Sequence, residues 1–297
     1  MNLDPLNLSV NTGEGRNIAN ACLSGTYVAS TDKRFFVPVL NLIHLGGEQL
    51  KKHLYPAISV GVLLLIWQVS VQLLQTPTFI LPSPIAVFQA LLADRQTLFF
   101  HSLTTLSEAL LGLVIAGIIA FFTALLMDFY ELLKTAIYPI LVVSQTLPIM
   151  VLGPLLTLWF GFGLAPKVIL VILMSYFPMV VSFADSLSKA SREQIIFLRT
   201  MGASRGQIYR IFKIPEGLAG FFSGLKVAAT YCVSGAIVGE WLSAQSGLGY
   251  YMIRVKNSYQ IDKVFAAILC VIVLSLLLNG LSVLIKKSYY YWLYTRG

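Results

Sequence analysis

A few polar and aromatic side chains lie inside long apolar runs, and they are the groups able to touch a solute. Lys226 stands about nine residues into the run from Gly217 to Gly239, around 14 Å along it by helix rise. A charge there must snorkel, find a carbonyl or face a polar path. Trp159, Tyr176, Tyr231 and Trp241 offer rings that stack on an aromatic solute or, more commonly, anchor a chain at a membrane interface. Gln145 and Glu240 add hydrogen-bonding groups. Nothing here is arranged for breaking covalent bonds. The chain holds no G-x-x-x-x-G-K-[ST], no H-E-x-x-H and no G-x-S-x-G. Paired carboxylates, a Ser-His set and a metal cluster are also lacking in the sequence pattern, so neither an enzyme nor a cofactor is expected.

The elements that must position these groups are membrane helices. A chain of 297 residues with 57% hydrophobic and 11% charged residues and a mean hydropathy of +0.78 lies outside the range of soluble domains. Runs almost free of Asp, Glu, Lys and Arg place spans at about 54–75, 103–127, 135–158, 166–184, 217–239 and 264–285. Each approaches the roughly 20 apolar residues needed to cross the hydrocarbon core. Lipid offers the backbone no partners, and the runs are too long for barrel strands. The expected fold is therefore an all-α integral membrane protein with about six transmembrane helices. Pro139, Pro148 and Pro154 are expected to kink or divide the third.

Charge sets the orientation. With the amino terminus inside, the cytoplasmic segments carry fifteen Lys and Arg, against five opposite: Arg95, Lys167, Arg254, Lys256 and Lys263. The formal charge of +8 then follows from topology, and no nucleic-acid partner is expected. Lys226 is the one clear ionisable residue within a span, with Glu108, Asp128 and Asp185 near span ends. His44, His53 and His101 lack ligand spacing and read as surface or interfacial residues. Cys22, Cys232 and Cys270 form no paired framework. Residues 1–50 are polar up to Lys33-Arg34 and the short apolar run from Phe35 to Leu45, and are expected to form a flexible or interfacial extension to a transmembrane domain over 51–297.

Between Lys189 and Pro215 lies the one long polar stretch in the middle of the chain. Ser191 stands three residues before Gln194, and Ser204 three before Gln207; both pairs fit a capping box. The spacing predicts a helix from Arg192 to Met201, closed by Gly202, and a second helix ended by Pro215. On the second, Ile208, Ile211 and Phe212 share one face while Arg205, Tyr209 and Lys213 share another. A helix lying on anionic headgroups is the plain alternative to a hairpin that grips a partner.

Gly202-Ala203-Ser204, followed by Phe212-Lys213-Ile214-Pro215, resembles the cytoplasmic coupling loop of importer permeases of the ATP-binding-cassette class. That pattern is E-A-A, three residues, G, nine residues, then I-x-L-P; the triplet falls here on Ile196-Phe197-Leu198. Ile80-Leu81-Pro82-Ser83-Pro84, Leu158-Trp159-Phe160-Gly161-Phe162-Gly163, Ser223-Gly224-Leu225-Lys226, Gly239-Glu240-Trp241-Leu242 and Ser246-Gly247-Leu248-Gly249-Tyr250 are similar to nitrate/sulfonate/taurine-type permeases, across roughly residues 58–287. Arg254-Val255-Lys256-Asn257-Ser258-Tyr259 and Asp262-Lys263-Val264-Phe265 resemble members linked to uptake of thiamine pyrimidine precursors.

The resemblance implies a type I importer permease. Two copies form a pathway at the bacterial inner membrane, with both termini cytoplasmic. A separate ATPase receives the hairpin through Leu198, Gly202, Ala203, Ser204, Ile208, Phe212 and Pro215, and an extracytoplasmic binding protein delivers the solute. A secondary transporter or channel driven by an ion gradient is the rival expectation. Two small-residue stripes, Gly112-Ala116-Ala120-Ala124 and Gly220-Gly224-Ala228, with Gly235 and Gly239 on another face, suit close helix contact within one chain or at a dimer seam.

Overall fold

A computed structural model describes residues 54–243 and 245–295. The extension at 1–50, with His44, His53 and Cys22, lies outside the described residues. The chain divides into two compact units, 1–63 and 64–297. The first contributes the opening turns of helix α1, Leu54–Leu73, and the second contains the other described elements. These are α2 (Pro84–Ala93), α3 (Arg95–Phe129), α4 (Glu131–Ser144), α5 (Ile149–Phe160), α6 (Leu164–Ser188), α7 (Arg192–Thr200), α8 (Arg205–Ile208), a π-helical turn over Tyr209–Lys213, α9 (Ile214–Ser243), α10 (Leu248–Asn257) and α11 (Ile261–Thr295). Every element described is helical, as the lack of backbone partners in lipid requires.

Five helices are long and apolar enough to cross a membrane, and α4 with α5 supplies a sixth if that bent pair is one span. The pair turns by 100°. The break falls at Gln145–Pro148, and Pro148 takes the extended conformation that caps α5. Pro139 and Pro154 remain inside helices. Of the three prolines that were expected to kink or divide this span, only Pro148 sits at the break.

The core seam runs between α3, α6 and α9. Lipid supplies no hydrophobic drive for helix association, so close packing must hold these helices together. The small residues allow it: Ala109, Ala116, Ala120, Ala124, Ala228, Ala229 and Ala236 are all fully buried. At Gly224 a β-carbon would lie 2.5 Å from the Pro178 carbonyl oxygen and 2.8 Å from the Met179 Cα, so α9 and α6 touch backbone to backbone. Gly220, Gly235 and Gly239 meet α6 in the same way. These positions therefore pack within one chain, and Gly235 and Gly239 extend the same seam where another face was expected. Phe121, Phe183 and Phe221 fill the wider part of the seam, with Phe121 and Phe183 stacked at 5.2 Å between centroids.

Candidate functional site

The hairpin forms at the predicted place, with local corrections. Ser204 and Gln207 make a full capping box: the Gln207 side-chain oxygen accepts the Ser204 N–H at 2.8 Å, and the Ser204 hydroxyl accepts the Gln207 N–H at 3.4 Å. Ser191 achieves only half of one. Its oxygen accepts the Gln194 N–H at 3.4 Å, but the Gln194 side chain does not return a bond to the Ser191 N–H, and the Ser191 hydroxyl donates to Glu193 at 2.8 Å. Helix α7 ends at Thr200 with Met201 as its cap, one residue short of expectation, and Gly202 turns the chain at φ +85°. Pro215 does not stop the second helix. The chain passes through the π-helical turn, where the Ile214 N–H reaches back to Tyr209, and Pro215 occupies the first turn of α9. Pro215 has no N–H to bond back to the preceding turn, and the widening of that turn accommodates its ring.

The basic face of the hairpin is committed to the chain itself. Asp128, at the end of α3, accepts hydrogen bonds from the Tyr209 hydroxyl and the Lys213 ammonium, both at 2.6 Å. Arg205 donates to the Phe129 carbonyl at 3.3 Å, with its guanidinium 4.4 Å from the centre of the Phe129 ring. Asp128 was legible only as an acid near a span end; its partners lie 81 and 85 residues away. Four large apolar side chains stay outward among exposed charged neighbours such as Arg192, Arg199 and Arg210: Ile196, Phe197, Met201 and Ile211 are all more than half exposed. Ile208 is buried, Leu198, Ala203, Phe212 and Pro215 are half-buried, and Gly202 and Ser204 are exposed.

A second polar assembly lies inside the helices, and it overturns three expectations. Glu108 is no span-end residue: it is buried well inside α3 and ion-paired with Lys167, which is itself buried at the start of α6 and is no loop charge. His101 is buried, not interfacial; its Nδ1 accepts the Gly247 N–H at 3.0 Å. Lys226 is therefore not alone within the spans. Glu240, 1% exposed, accepts the Thr105 hydroxyl and the Gly249 N–H, each at 2.6 Å. Thr105 in turn accepts the Leu248 N–H at 2.9 Å. The first N–H groups of α10, orphans of any helix start, are thus satisfied by side chains of α3 and α9. At Gly249 a β-carbon would lie 2.9 Å from Glu240 Cβ and 2.6 Å from the Ile237 carbonyl oxygen, so the glycine permits the contact. Glu108, Thr105 and Lys167 carried no sequence signal beyond a charge or hydroxyl in an apolar setting.

The remaining solute-contact candidates are not gathered into one pocket within the chain. Gln145 is exposed at the break between α4 and α5, and Trp159 is exposed near the end of α5. Tyr176 is half-buried against the core. Lys226, Tyr231 and Trp241 are exposed along α9. Glu240 stands apart, since its carboxylate is consumed in the interior. Trp241 also lines a cavity of about 180 Å³ with Met252, Ile253, Lys256 and Val264.

Outside the spans, Asp94 braces the ends of α10 and α11, accepting from Tyr251 at 2.7 Å and pairing with Lys263 at 2.9 Å. Burial works against its charge, but the hydrogen bonds from Lys263 and Tyr251 and the lysine's charge prevail, and its pKa lies below the ordinary value. Burial first, and then the Asp94 carboxylate, push the Tyr251 phenol upward, so it stays a donor.

Apolar spans, a broken sixth span and a capped polar hairpin define a multi-pass membrane permease. Residues 112–289 match the family model for the binding-protein-dependent transport system inner membrane component, and the chain belongs to that family of ABC importer permeases. It is 38% identical over 225 residues to a probable ABC transporter permease protein of Haemophilus influenzae, covering 76% of this chain and 92% of that one. It is 36% identical over 226 residues to the formylaminopyrimidine transport permease protein of Halalkalibacterium halodurans, covering 75% and 90%. Among solved structures, a chain of the inward-facing MetNI methionine ABC transporter matches with a TM-score of 0.59 at 17% identity, covering 66% of this chain and 98% of that chain. The fold is thus that of type I importer permeases.

Proposed function

We propose that two copies of this chain line a solute path across a bacterial inner membrane, with both termini cytoplasmic, and that each copy rests its hairpin on a separate ATPase. An extracytoplasmic binding protein delivers the cargo, a small organic or oxyanion solute of the nitrate, sulfonate, taurine or thiamine-pyrimidine-precursor class. Relatives named for formylaminopyrimidine, riboflavin, aliphatic sulfonate and taurine transport support that range. The positive-inside bias supports the orientation, and with Lys167 withdrawn into an ion pair the outer count falls further.

The observation that carries the reading is a set of large apolar side chains left outward on a hairpin whose Tyr209 and Lys213 are clamped inward on Asp128. Ile196, Phe197, Met201 and Ile211 face away from the chain on an otherwise polar segment, which suits a groove on another protein. Leu198, Ala203, Ile208, Phe212 and Pro215 keep the hairpin in shape, while Gly202 and Ser204 set its turn. The Asp128 clamp makes a displacement of the hairpin a displacement of α3, and α9 continues directly from it. A floppy loop would absorb the same push. The test is cysteine crosslinking in intact cells from Ser204→Cys and Ile211→Cys. Both should capture a nucleotide-hydrolysing subunit; capture of none would refute the reading.

A further inference from the structure

The faces that α3 and α11 expose are apolar: Phe99, Leu103, Val114, Ile118 and Phe122 on one, Ile272, Val273, Leu276 and Leu284 on the other. The exposed face of α9 differs. Ser223, Lys226, Thr230 and Ser234 follow one another at three- to four-residue steps with Tyr231 beside them, all exposed, and Val227 is the one exposed apolar residue among them. Lys226 takes part in none of the three ion pairs among the described residues. It stands about 18 Å beyond Ile214 and about 24 Å before Leu242 by helix rise. An ammonium at that depth against lipid is expensive. Asn279 of α11 donates to Thr230 at 3.4 Å, adding another polar group beside the stripe. Ser223 and Thr230 donate to the carbonyls of Ala219 and Lys226 and keep acceptor lone pairs outward.

We infer that this stripe is a wetted wall of the path and that Lys226 makes it a barrier to cations, passing anionic, zwitterionic or neutral solutes while holding back alkali ions. The inference rests on the proposal that the chain lines a path. A lysine in a narrow polar passage raises the local potential, and low-dielectric walls strengthen its effect. One unpaired charge suffices, because the barrier acts on any cation before cargo chemistry is considered. The same charge attracts the acidic group of a sulfonate and leaves an uncharged heteroaromatic ring unopposed.

The test uses the full chain in native membrane vesicles, with Cys22, Cys232 and Cys270 replaced by alanine and a single cysteine at Thr230 or Ser234. Labelling rates are measured with a sulfonate-bearing methanethiosulfonate and its trimethylammonium counterpart, each normalised to a free thiol, with and without ATP. The anionic reagent should lead its cationic counterpart by about tenfold at Thr230 and about threefold at Ser234, as one unit charge about 6 and 12 Å away implies in water. Lys226→Arg should keep the preference, Lys226→Gln should abolish it and Lys226→Glu should reverse it. Thiols unreactive in every nucleotide state would place the face in lipid, and a preference unchanged in Lys226→Gln would remove the lysine's role; either overturns the inference. Crosslinking from Ile211→Cys in the same vesicles reads the ATPase contact independently, so the two ideas fail separately.

Discussion

Single side chains decide two features of this permease. At Gly202 no atom would meet a β-carbon within 4 Å, so only the backbone angle of φ +85° restricts the position. A β-branched residue there is strained by about 1–2 kcal/mol, whereas asparagine tolerates the left-handed region. We therefore expect Gly202→Val to lower transport several-fold with normal membrane insertion and Gly202→Asn to stay near wild type, measured by uptake alongside membrane yield. The buried Glu108–Lys167 pair behaves differently. Removing one partner strands a charge, at about 3–5 kcal/mol, while replacing both with apolar residues of similar volume spares much of that. Thermal unfolding in detergent should show Glu108→Leu far below wild type and the Glu108→Leu, Lys167→Leu double variant recovering most of the loss. A double variant as unstable as the single would show that the pair does more than neutralise itself.

At the scale of elements, the hairpin and α10 are each held from a distance by a carboxylate. Asp128 anchors the π-helical turn to the end of α3. Asp128→Ala should leave the chain inserted but let its ATPase turn over without transport, a defect visible as hydrolysis that no longer scales with uptake. At the other end Asp94 ties α10 to α11. Its pKa is held below the ordinary 3.8, so its contribution is complete above that value and fades as pH falls through the lower folded value. Wild type and Asp94→Asn should differ in proteolytic protection of the α10–α11 connection at pH 7 and converge as pH falls through the lowered folded value. Because both side chains keep contact with solvent, Lys263 27% and Asp94 25% exposed, the difference should be small and should shrink in high salt.

For the whole molecule, the relation to known permeases begins well after the amino terminus: the family match starts at residue 112, and the Haemophilus relative aligns with 76% of this chain and 92% of itself. Deleting residues 1–50 should accordingly leave uptake and assembly near wild type in a vesicle assay. A collapse of transport with intact insertion would assign that extension a role of its own. Among the described residues α1, α3 and α11 expose mainly apolar side chains, while α9 exposes the polar row from Ser223 to Ser234.

The order of spans, the placement of the hairpin and the turn at Gly202 were legible in the sequence because each rests on local rules: apolar run length, a serine three residues before a glutamine, a glycine where the chain reverses. The same local rules misjudged Pro215, whose ring is accommodated only because the preceding turn widens. They could not read the polar interior. Glu108 meets Lys167 across 59 residues and Thr105 meets Glu240 across 135, and such pairings exist only once α3, α6 and α9 have packed. A charge buried in a membrane protein is tolerable only beside its complement, so burial and partner are decided together. The sequence by itself determined that the chain crosses the membrane and presents a capped hairpin; tertiary packing decided which ionisable groups vanish into the core and which, like Lys226, stay exposed.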